Sequence, residues 1–339
     1  MKRQKVIYFY VGLSTFVKKD IDILASKYTV SVFDFYVAAD AKWKILFRFM
    51  HQLLFLLRHA VSFRLVVCQF AGYHSLLPIL FAKIFRRPSL IVAGGTECMA
   101  FPSIGFGNFQ RPYLRSFTRW SLKHCTHIAP KHETLWYCTY TYTNDDYPAQ
   151  GIRYFIPGIQ TPHTVIYNGY DPEHYRDTGR IRQNNFLTVT ASMEYGFQKT
   201  LKGIDLILQL APSFPDATFT IVGASSLDLP DTPPNVVLYP KQGANELIAL
   251  YGESRFYLQL SLAEGFPNAL CEAMLCECIP IGSQVFSIPE IIADTGYILQ
   301  KKNHSMLQEL IGKALKEYDS SRGKRARQRI LEHYFFERR

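Results

Sequence analysis

Short runs of β-branched and aromatic residues alternate along the chain with amphipathic stretches, the punctuation of βαβ units. In the first half the pattern predicts strands at Lys5–Tyr10, Thr29–Phe35, Leu65–Phe70, Ser89–Ala93 and His127–Ala129, with helices over 14–26, 41–60, 72–85 and 110–124. Residues 138–165, rich in Tyr, Thr, Pro and Gly, break the rhythm. In the second half strands are expected near 186–191, 217–222, 235–238, 255–260, 279–282 and 296–299, with helices over 202–212, 244–252, 268–277 and 304–318. The alternation reads as α/β, with two Rossmann-like parallel-sheet domains joined near 160–185. Ligands of open parallel sheets bind beyond the carboxyl ends of the strands, so two facing domains would set their loops around a central cleft.

The chain's 339 residues allow two domains at roughly 100 to 200 residues each, both large enough to bury a core. A composition of 48% hydrophobic and 19% charged residues excludes a largely disordered chain. Seven cysteines, odd in number and without a C-x-x-C pair, favour neither a disulfide framework nor a thiolate zinc site, and fit a reducing, cytoplasmic setting. Charge is unevenly divided: residues 1–165 carry 20 Lys+Arg against 8 Asp+Glu, or +12, and residues 166–339 carry 18 against 20, or −2. A one-sided positive field suits an anionic surface, or serves solubility alone. No segment reaches the ~20 uninterrupted apolar residues of a membrane-spanning helix. Met1–Leu13 lacks the small-residue cleavage site of a signal peptide and reads as a buried first strand.

The most informative loop follows the predicted strand ending at Leu260 and runs from Ser261 through Glu264, Gly265, Phe266, Pro267, Asn268, Ala269, Leu270 and Glu272 to Met274. Pro267 lacks the N–H a helix would use, Gly265 permits close backbone approach, and the helical pattern begins directly afterwards. Free amides and the positive dipole end at such a start attract a diphosphate. Glu264 lies in the loop and Glu272 in the second helical turn, so the two acids would contact different parts of one ligand. Carboxylates accept well from vicinal sugar hydroxyls. The plainer reading is a helix-start acid and a solvated Glu.

Glu264 to Glu272, with Ala273, Met274 and Pro280-Ile281-Gly282-Ser283 behind them, resembles the E-x7-E signature of the family 4 retaining glycosyltransferases, which have the GT-B fold. Lys202-Gly203-Ile204-Asp205 resembles the family's K-G-x-D segment, Val165 to Asp171 its interdomain N-G-V-D, and Gly223 ends a strand as in the family. The likeness is close over 160–335 and loose before it. Gly12 resembles the glycine of the loop that lets donor phosphates approach the N-terminal domain.

The resemblance implies an acceptor-binding domain at 1–165, a nucleotide-sugar-binding domain at 166–321, and a C-terminal helix at 322–339 packing back toward the first. It implies that Lys202 neutralises the donor diphosphate and the leaving group. Glu264 would position the donor sugar with the backbone of Gly265–Asn268, Glu272 would hold the ribose, and Lys241 and Gln242 would border the base. The resemblance also implies a front-side retaining route in which the departing phosphate takes the acceptor proton, with no metal and no cofactor beyond the nucleotide-diphosphate sugar.

Two positions depart from the family pattern. Where members carry an Arg on the strand before K-G, this chain reads Val189-Thr190-Ala191-Ser192-Met193, with Lys199 as a replacement cation or the enzyme impaired. Where many members carry an acceptor-side His, it reads Ala93-Gly94-Gly95-Thr96-Glu97. Gly94 and Gly95 would admit the substrate to the backbone, with Thr96 beside them, and Glu97 is either an acceptor contact or base or a turn carboxylate.

Other segments carry further readings. Asp20-Ile21-Asp22 imitates a D-x-D metal motif but lies inside an amphipathic stretch. Over Ala41–Val61, Lys44, Arg48, His51 and Gln52 mark one helical face, opposite Trp43, Leu46, Phe47, Met50, Leu53, Leu54 and Leu57. That is either a crossover helix packed on the sheet or a basic helix lying in an anionic membrane interface. The tail from Arg322 holds seven Lys+Arg and two Asp+Glu. It reads as the closing helix of the GT-B fold rather than a nucleic-acid arm.

The expected function is transfer of a hexose-type sugar to a polysaccharide or lipid-linked glycan acceptor in cell-envelope or exopolysaccharide synthesis, in the cytoplasm or on the inner face of the plasma membrane. The alternative is a non-catalytic nucleotide-sugar-binding partner subunit.

Overall fold

The computed structural model describes residues 3–38, 43–60, 62–191, 193 and 196–335. The chain divides into two compact units, Met1–Cys138 with Ala149–Ile166, and Thr139–Pro148 with Tyr167–Arg339.

In the first unit β1 (Lys5–Tyr10), β2 (Thr29–Asp34), β3 (Phe63–Gln69), β4 (Ser89–Ala93) and β5 (His127–Pro130) form a parallel sheet in the order β2-β1-β3-β4-β5. Nearly every residue of β1 is buried, as expected for a strand covered on both faces. Val6, Tyr8 and Tyr10 pack with Val67 and Val92 against Val17, Ile21 and Leu24 of α1 (Thr15–Lys27). The crossovers are α1, α2 (Ile45–His59), α3 (Tyr73–Ile84) and α4 (Pro112–His124).

α2 is a crossover helix that packs one apolar face on the sheet and leaves a second apolar arc exposed. Its inner stripe holds buried Gln52, Leu56 and His59, with Phe49 against Phe35 and Phe55 against Phe9 and Phe33. Gln52 Nε2 donates to the His74 carbonyl at 2.7 Å. The residues of the predicted apolar arc, from Trp43 to Leu57, are exposed. Ala41 and Val61, the ends of the sequence-defined segment, lie outside the described residues.

After β6 (Cys138–Thr139) the chain makes an excursion into the second unit and returns at β7 (Ala149–Gln150), which precedes the short α5 (Ile152–Phe155). A single linear boundary does not anticipate this. The Tyr140 hydroxyl donates to the Leu262 carbonyl at 3.1 Å, and the Lys302 amide to the Tyr142 carbonyl at 3.0 Å.

The second unit holds β8 (Gln183–Val189), β9 (Thr218–Val222), β10 (Val236–Tyr239), β11 (Ser254–Gln259), β12 (Ile279–Ser283) and β13 (Tyr297–Leu299). Its parallel order is β10-β9-β8-β11-β12-β13. That is the doubly wound order 3-2-1-4-5-6, which reverses direction between β8 and β11. Phe186, Phe219 and Phe256, in register on three adjacent strands, stack at centroid distances of 5.1 and 4.7 Å in the core.

The helices here are α6 (Phe197–Leu201), α7 (Ile204–Leu210), α8 (Ala244–Glu253), α9 (Asn268–Leu275), α10 (Ile288–Ile292), α11 (His304–Lys316) and α12 (Ser320–His333). α12 buries Gly323, Ala326 and Ile330. Arg327 donates to the carbonyls of Leu275, Tyr175 and Pro172, and Arg329 to those of Ile291 and Glu290. The basic tail thus spends two of its guanidinium groups on carbonyls of its own unit. Residues 336–339 of the tail lie outside the described residues.

Candidate donor site

The reversal between β8 and β11 leaves a crevice at their carboxyl ends, where α/β sheets bind ligands. Two sequence-predicted residues meet there. Lys202 follows α6, and its Nζ lies 2.5 Å from Oε1 of Glu264 in the loop after β11. Both side chains are partly open to solvent.

The chain builds this meeting with backbone. Gly203 has φ +69, in the left-handed region, and a Cβ there would lie 2.2 Å from the Leu260 carbonyl oxygen. Only glycine turns the chain there while letting the strand-end loop come this close. The Leu262 amide donates to the Leu201 carbonyl at 2.8 Å, tying the loop of Glu264 to the turn of Lys202.

The floor beneath Glu264 is uncharged and buried. Gln259 Nε2 donates to Ser261 Oγ at 2.8 Å and reaches Glu264 Oε1 at 3.5 Å. Ser283 Oγ donates to the Ser261 carbonyl at 2.6 Å, and Ser287 Oγ to the Gly265 carbonyl at 3.0 Å. The sequence reading did not single out Gln259, Ser261 or Ser287. The available signal was a polar residue closing an otherwise apolar strand, Phe-Tyr-Leu-Gln.

Pro267 is the N-cap of α9 and supplies no side-chain cap. The amides of Asn268, Ala269 and Leu270 therefore have no intrahelical carbonyl to serve, and they form a positive end suited to phosphate oxygens. Phe266 and Leu270 are buried. Phe266 packs on Tyr167, Tyr170 and Tyr334, which fixes the loop from below.

Asn268 is oriented by the segment that resembles N-G-V-D. Its Oδ1 accepts from Asn168 Nδ2 at 2.9 Å and from the Tyr170 hydroxyl at 2.6 Å. With that oxygen doubly occupied, both remaining N–H groups of the amide are left to donate elsewhere.

Glu272 is half-buried and accepts a hydrogen bond from Tyr175, whose phenol is pushed well up by burial and then by this carboxylate. Burial and Glu272 likewise raise Tyr251 and Tyr257. The second acid thus sits on a layer of tyrosines, one of which, Tyr257, feels both Glu272 and Glu264.

The other predicted donor residues are more loosely placed. Lys199 is exposed on α6, one turn before Lys202. Lys241 is exposed after β10, and Gln242 Nε2 donates to the Pro240 carbonyl at 3.0 Å. Ala191 is exposed, whereas Ser192 lies outside the described residues. Asp205 of the K-G-x-D segment pairs with Lys302 at 2.6 Å, which anchors α7. Gly223 has φ +92, and a Cβ there would lie 2.0 Å from the Thr190 carbonyl oxygen.

In the first unit, Gly12 follows β1 with φ +72, and its amide donates to Asp34 Oδ1 at 2.9 Å. Glu97 is 1% exposed and turned into its own loop, accepting from the amides of Gly94 at 2.6 Å and Gly95 at 3.3 Å. Burial pushes its carboxyl up to about 7, against the opposing pull of those amides. Thr96 is the exposed member of the loop. Gly94 leaves room for Phe70, whose ring edge would lie 2.2 Å from a Cβ.

Asp20 is a core residue, bonded by the Tyr8 hydroxyl at 3.4 Å and paired with buried Lys131 at 3.7 Å. Among the described residues no three His, Cys, Asp or Glu side chains converge as metal ligands.

Residues 195–330 match the family model described as glycosyl transferases group 1. No curated protein sequence matches the chain. A sucrose-phosphate synthase from Thermosynechococcus elongatus has a similar structure, with TM-score 0.75 at 12% identity, covering 99% of this chain and 96% of that one. Anabaena HepE, solved with UDP-glucose, has TM-score 0.67 at 13% identity, covering 98% and 96%. A glycosyltransferase from Rickettsia africae has TM-score 0.64 at 10% identity, covering 100% and 96%. The fold is therefore GT-B, an α/β architecture with two Rossmann-like parallel-sheet domains. With the family match it supports a glycosyltransferase.

Proposed function

We propose that this chain is a retaining, metal-independent glycosyltransferase of the family 4 type. It would move a hexose-type sugar from a nucleotide-diphosphate donor to a polysaccharide or lipid-linked glycan acceptor in envelope or exopolysaccharide synthesis. The observation that carries the reading is the Lys202–Glu264 pair at the open start of α9, at the reversal point of the sheet. A nucleotide-sugar donor is further supported by Anabaena HepE, which was solved with UDP, with UDP and glucose, and with UDP-glucose.

Lys202 binds the diphosphate together with the first amides of α9. As the bond from the anomeric carbon to the diphosphate oxygen breaks, charge builds on that oxygen, and a nearby ammonium stabilises it more than the intact donor. The acceptor oxygen bonds to the same face of that carbon, and its proton passes to the departing phosphate oxygen. Glu264 receives the donor sugar's hydroxyls when Lys202 turns to phosphate, and Glu272 takes the ribose. Lys199, Lys241 and Gly12 complete the donor contacts, and the loop of Gly94–Glu97 faces the acceptor, with Thr96 in contact and Glu97 shaping the loop.

The test is a thermal-shift screen against UDP-, GDP- and ADP-sugars, followed by transfer or donor-hydrolysis assays. A ligand that binds only the folded chain raises its melting temperature by mass action. A shift with one donor class, with turnover lost in Glu264→Ala and Lys202→Ala, supports the enzyme. A shift without any turnover supports the non-catalytic partner, a reading motivated by the missing Arg and His. No shift with any donor removes both.

A further inference from the structure

We propose that the outer face of α2 is a docking surface for a lipid bilayer bearing anionic headgroups. The helix carries two stripes at helical spacing. Ile45, Phe49, Gln52, Leu56 and His59 face the sheet side, and the opposite stripe of Leu46, Phe47, Met50, Leu53, Leu54 and Leu57 is exposed. Leu46 is 74% exposed, Phe47 60% and Leu54 57%. A soluble crossover helix ordinarily buries its apolar side and shows its polar one. Here the inner stripe is mixed, with Gln52 and His59 buried beside Leu56, and a second apolar stripe of large side chains is left outside.

The stripe runs the length of the helix, about 22 Å at 1.5 Å per residue. It offers no hydrogen-bonding group that would fix the register of a protein partner, whereas a lipid interface requires none. Trp43, 68% exposed at the start of the helix, adds an indole of the kind favoured at the headgroup boundary.

Charge selects the occupant. Between Trp43 and Ala60 the chain carries Lys44, Arg48 and Arg58 and no carboxylate. Lys44 and Arg58 are exposed at opposite ends of the stripe, and Arg48 donates to the Tyr36 carbonyl at 3.2 Å. The unit that contains the helix lies within the +12 half of the chain. A cation at each end of an apolar stripe matches a surface whose headgroups are negative and whose interior is hydrocarbon. Among the described residues no helix is long and apolar enough to cross a membrane, so the helix would lie in the interface plane.

The inference uses α2 alone and does not depend on the donor site. Its test is flotation of the full chain with phosphatidylcholine vesicles, with and without phosphatidylglycerol, at low and high salt. The expected result is binding to the anionic vesicles that weakens with salt. The triple substitution Leu46→Ser, Phe47→Ser and Leu54→Ser should lower it at least a hundredfold, and Lys44→Gln or Arg58→Gln by about fivefold each. All five residues are exposed, so circular dichroism and the melting temperature should stay those of the parent. Absence of binding to anionic vesicles, or equal binding to neutral ones, overturns the proposal. So does self-association of the lipid-free chain in sedimentation that the triple substitution abolishes while vesicle binding persists, since a second copy would then be the occupant.

Discussion

Nζ of Lys202 and Oε1 of Glu264 approach to 2.5 Å although 62 residues separate them. The contact places a cation and an acid on the same crevice, each held by a different strand-end loop. The pair is partly solvated, so its own contribution to folding should be at most about 1 kcal/mol.

Removing either member should therefore separate function from stability. In Lys202→Ala and Glu264→Ala, transfer should fall about 10²- to 10³-fold, while denaturant midpoints stay close to the parent's. A collapse of stability in parallel with activity would assign the pair a structural role instead.

Gly203→Ala should act the other way. A Cβ in the left-handed region costs about 1–2 kcal/mol before any clash, and this one would press on the Leu260 carbonyl oxygen. Chemical denaturation should show a loss of about 2–4 kcal/mol, with donor binding weakened because Lys202 is the preceding residue. A loss under 1 kcal/mol would mean that the turn relaxes without the glycine.

Tyr170→Phe removes one of two donors to Asn268 Oδ1 and leaves Asn168 in place. Asn268 Oδ1 keeps a donor, so the cost should be about 1 kcal/mol. With the Asn268 amide less firmly oriented, donor affinity should weaken about fivefold in calorimetric titration. Unchanged affinity would detach Asn268 from the ligand.

Glu97 makes stability depend on pH. Its carboxyl is raised from 4.5 to about 7 in the fold, so between those values the folded chain binds more protons than the unfolded one. Stability then declines as pH rises through that window, by on the order of 3 kcal/mol for this group. Glu97→Gln should abolish that slope in denaturation curves taken from pH 5 to 8, at the cost of one lost amide acceptor. A wild-type curve flat across this range would contradict the buried, high-pKa carboxyl.

Much of this was legible in the sequence. β1, β4, β11 and β12 are short apolar runs bounded by turn residues, and they fold where the pattern places them. The helix over 202–212 begins only at Ile204, because Gly203 breaks it and α6 is a separate turn before it. α10 went unread, since five residues with Pro289 at the start carry almost no periodic signal. Lys202, Glu264 and Glu272 were visible because each lies in a contiguous motif, Lys202 in K-G-x-D and the two acids in E-x7-E. The serine floor was not, since Ser261, Ser283 and Ser287 meet only after β11 and β12 pair. Hydrophobic periodicity revealed that α2 has an apolar arc but not which way the arc turns. That is decided by Phe49 and Phe55 filling gaps beside Phe9, Phe33 and Phe35.

The excursion at Thr139–Pro148 has a practical corollary for dissecting the molecule. A fragment begun at Tyr167 would lose the strap whose Tyr140 hydroxyl caps Leu262 and whose Tyr142 carbonyl receives Lys302. A second unit excised at the visible linker would thus emerge with a hole beside its own loop. Its autonomy would return only if that ten-residue piece were grafted back in front.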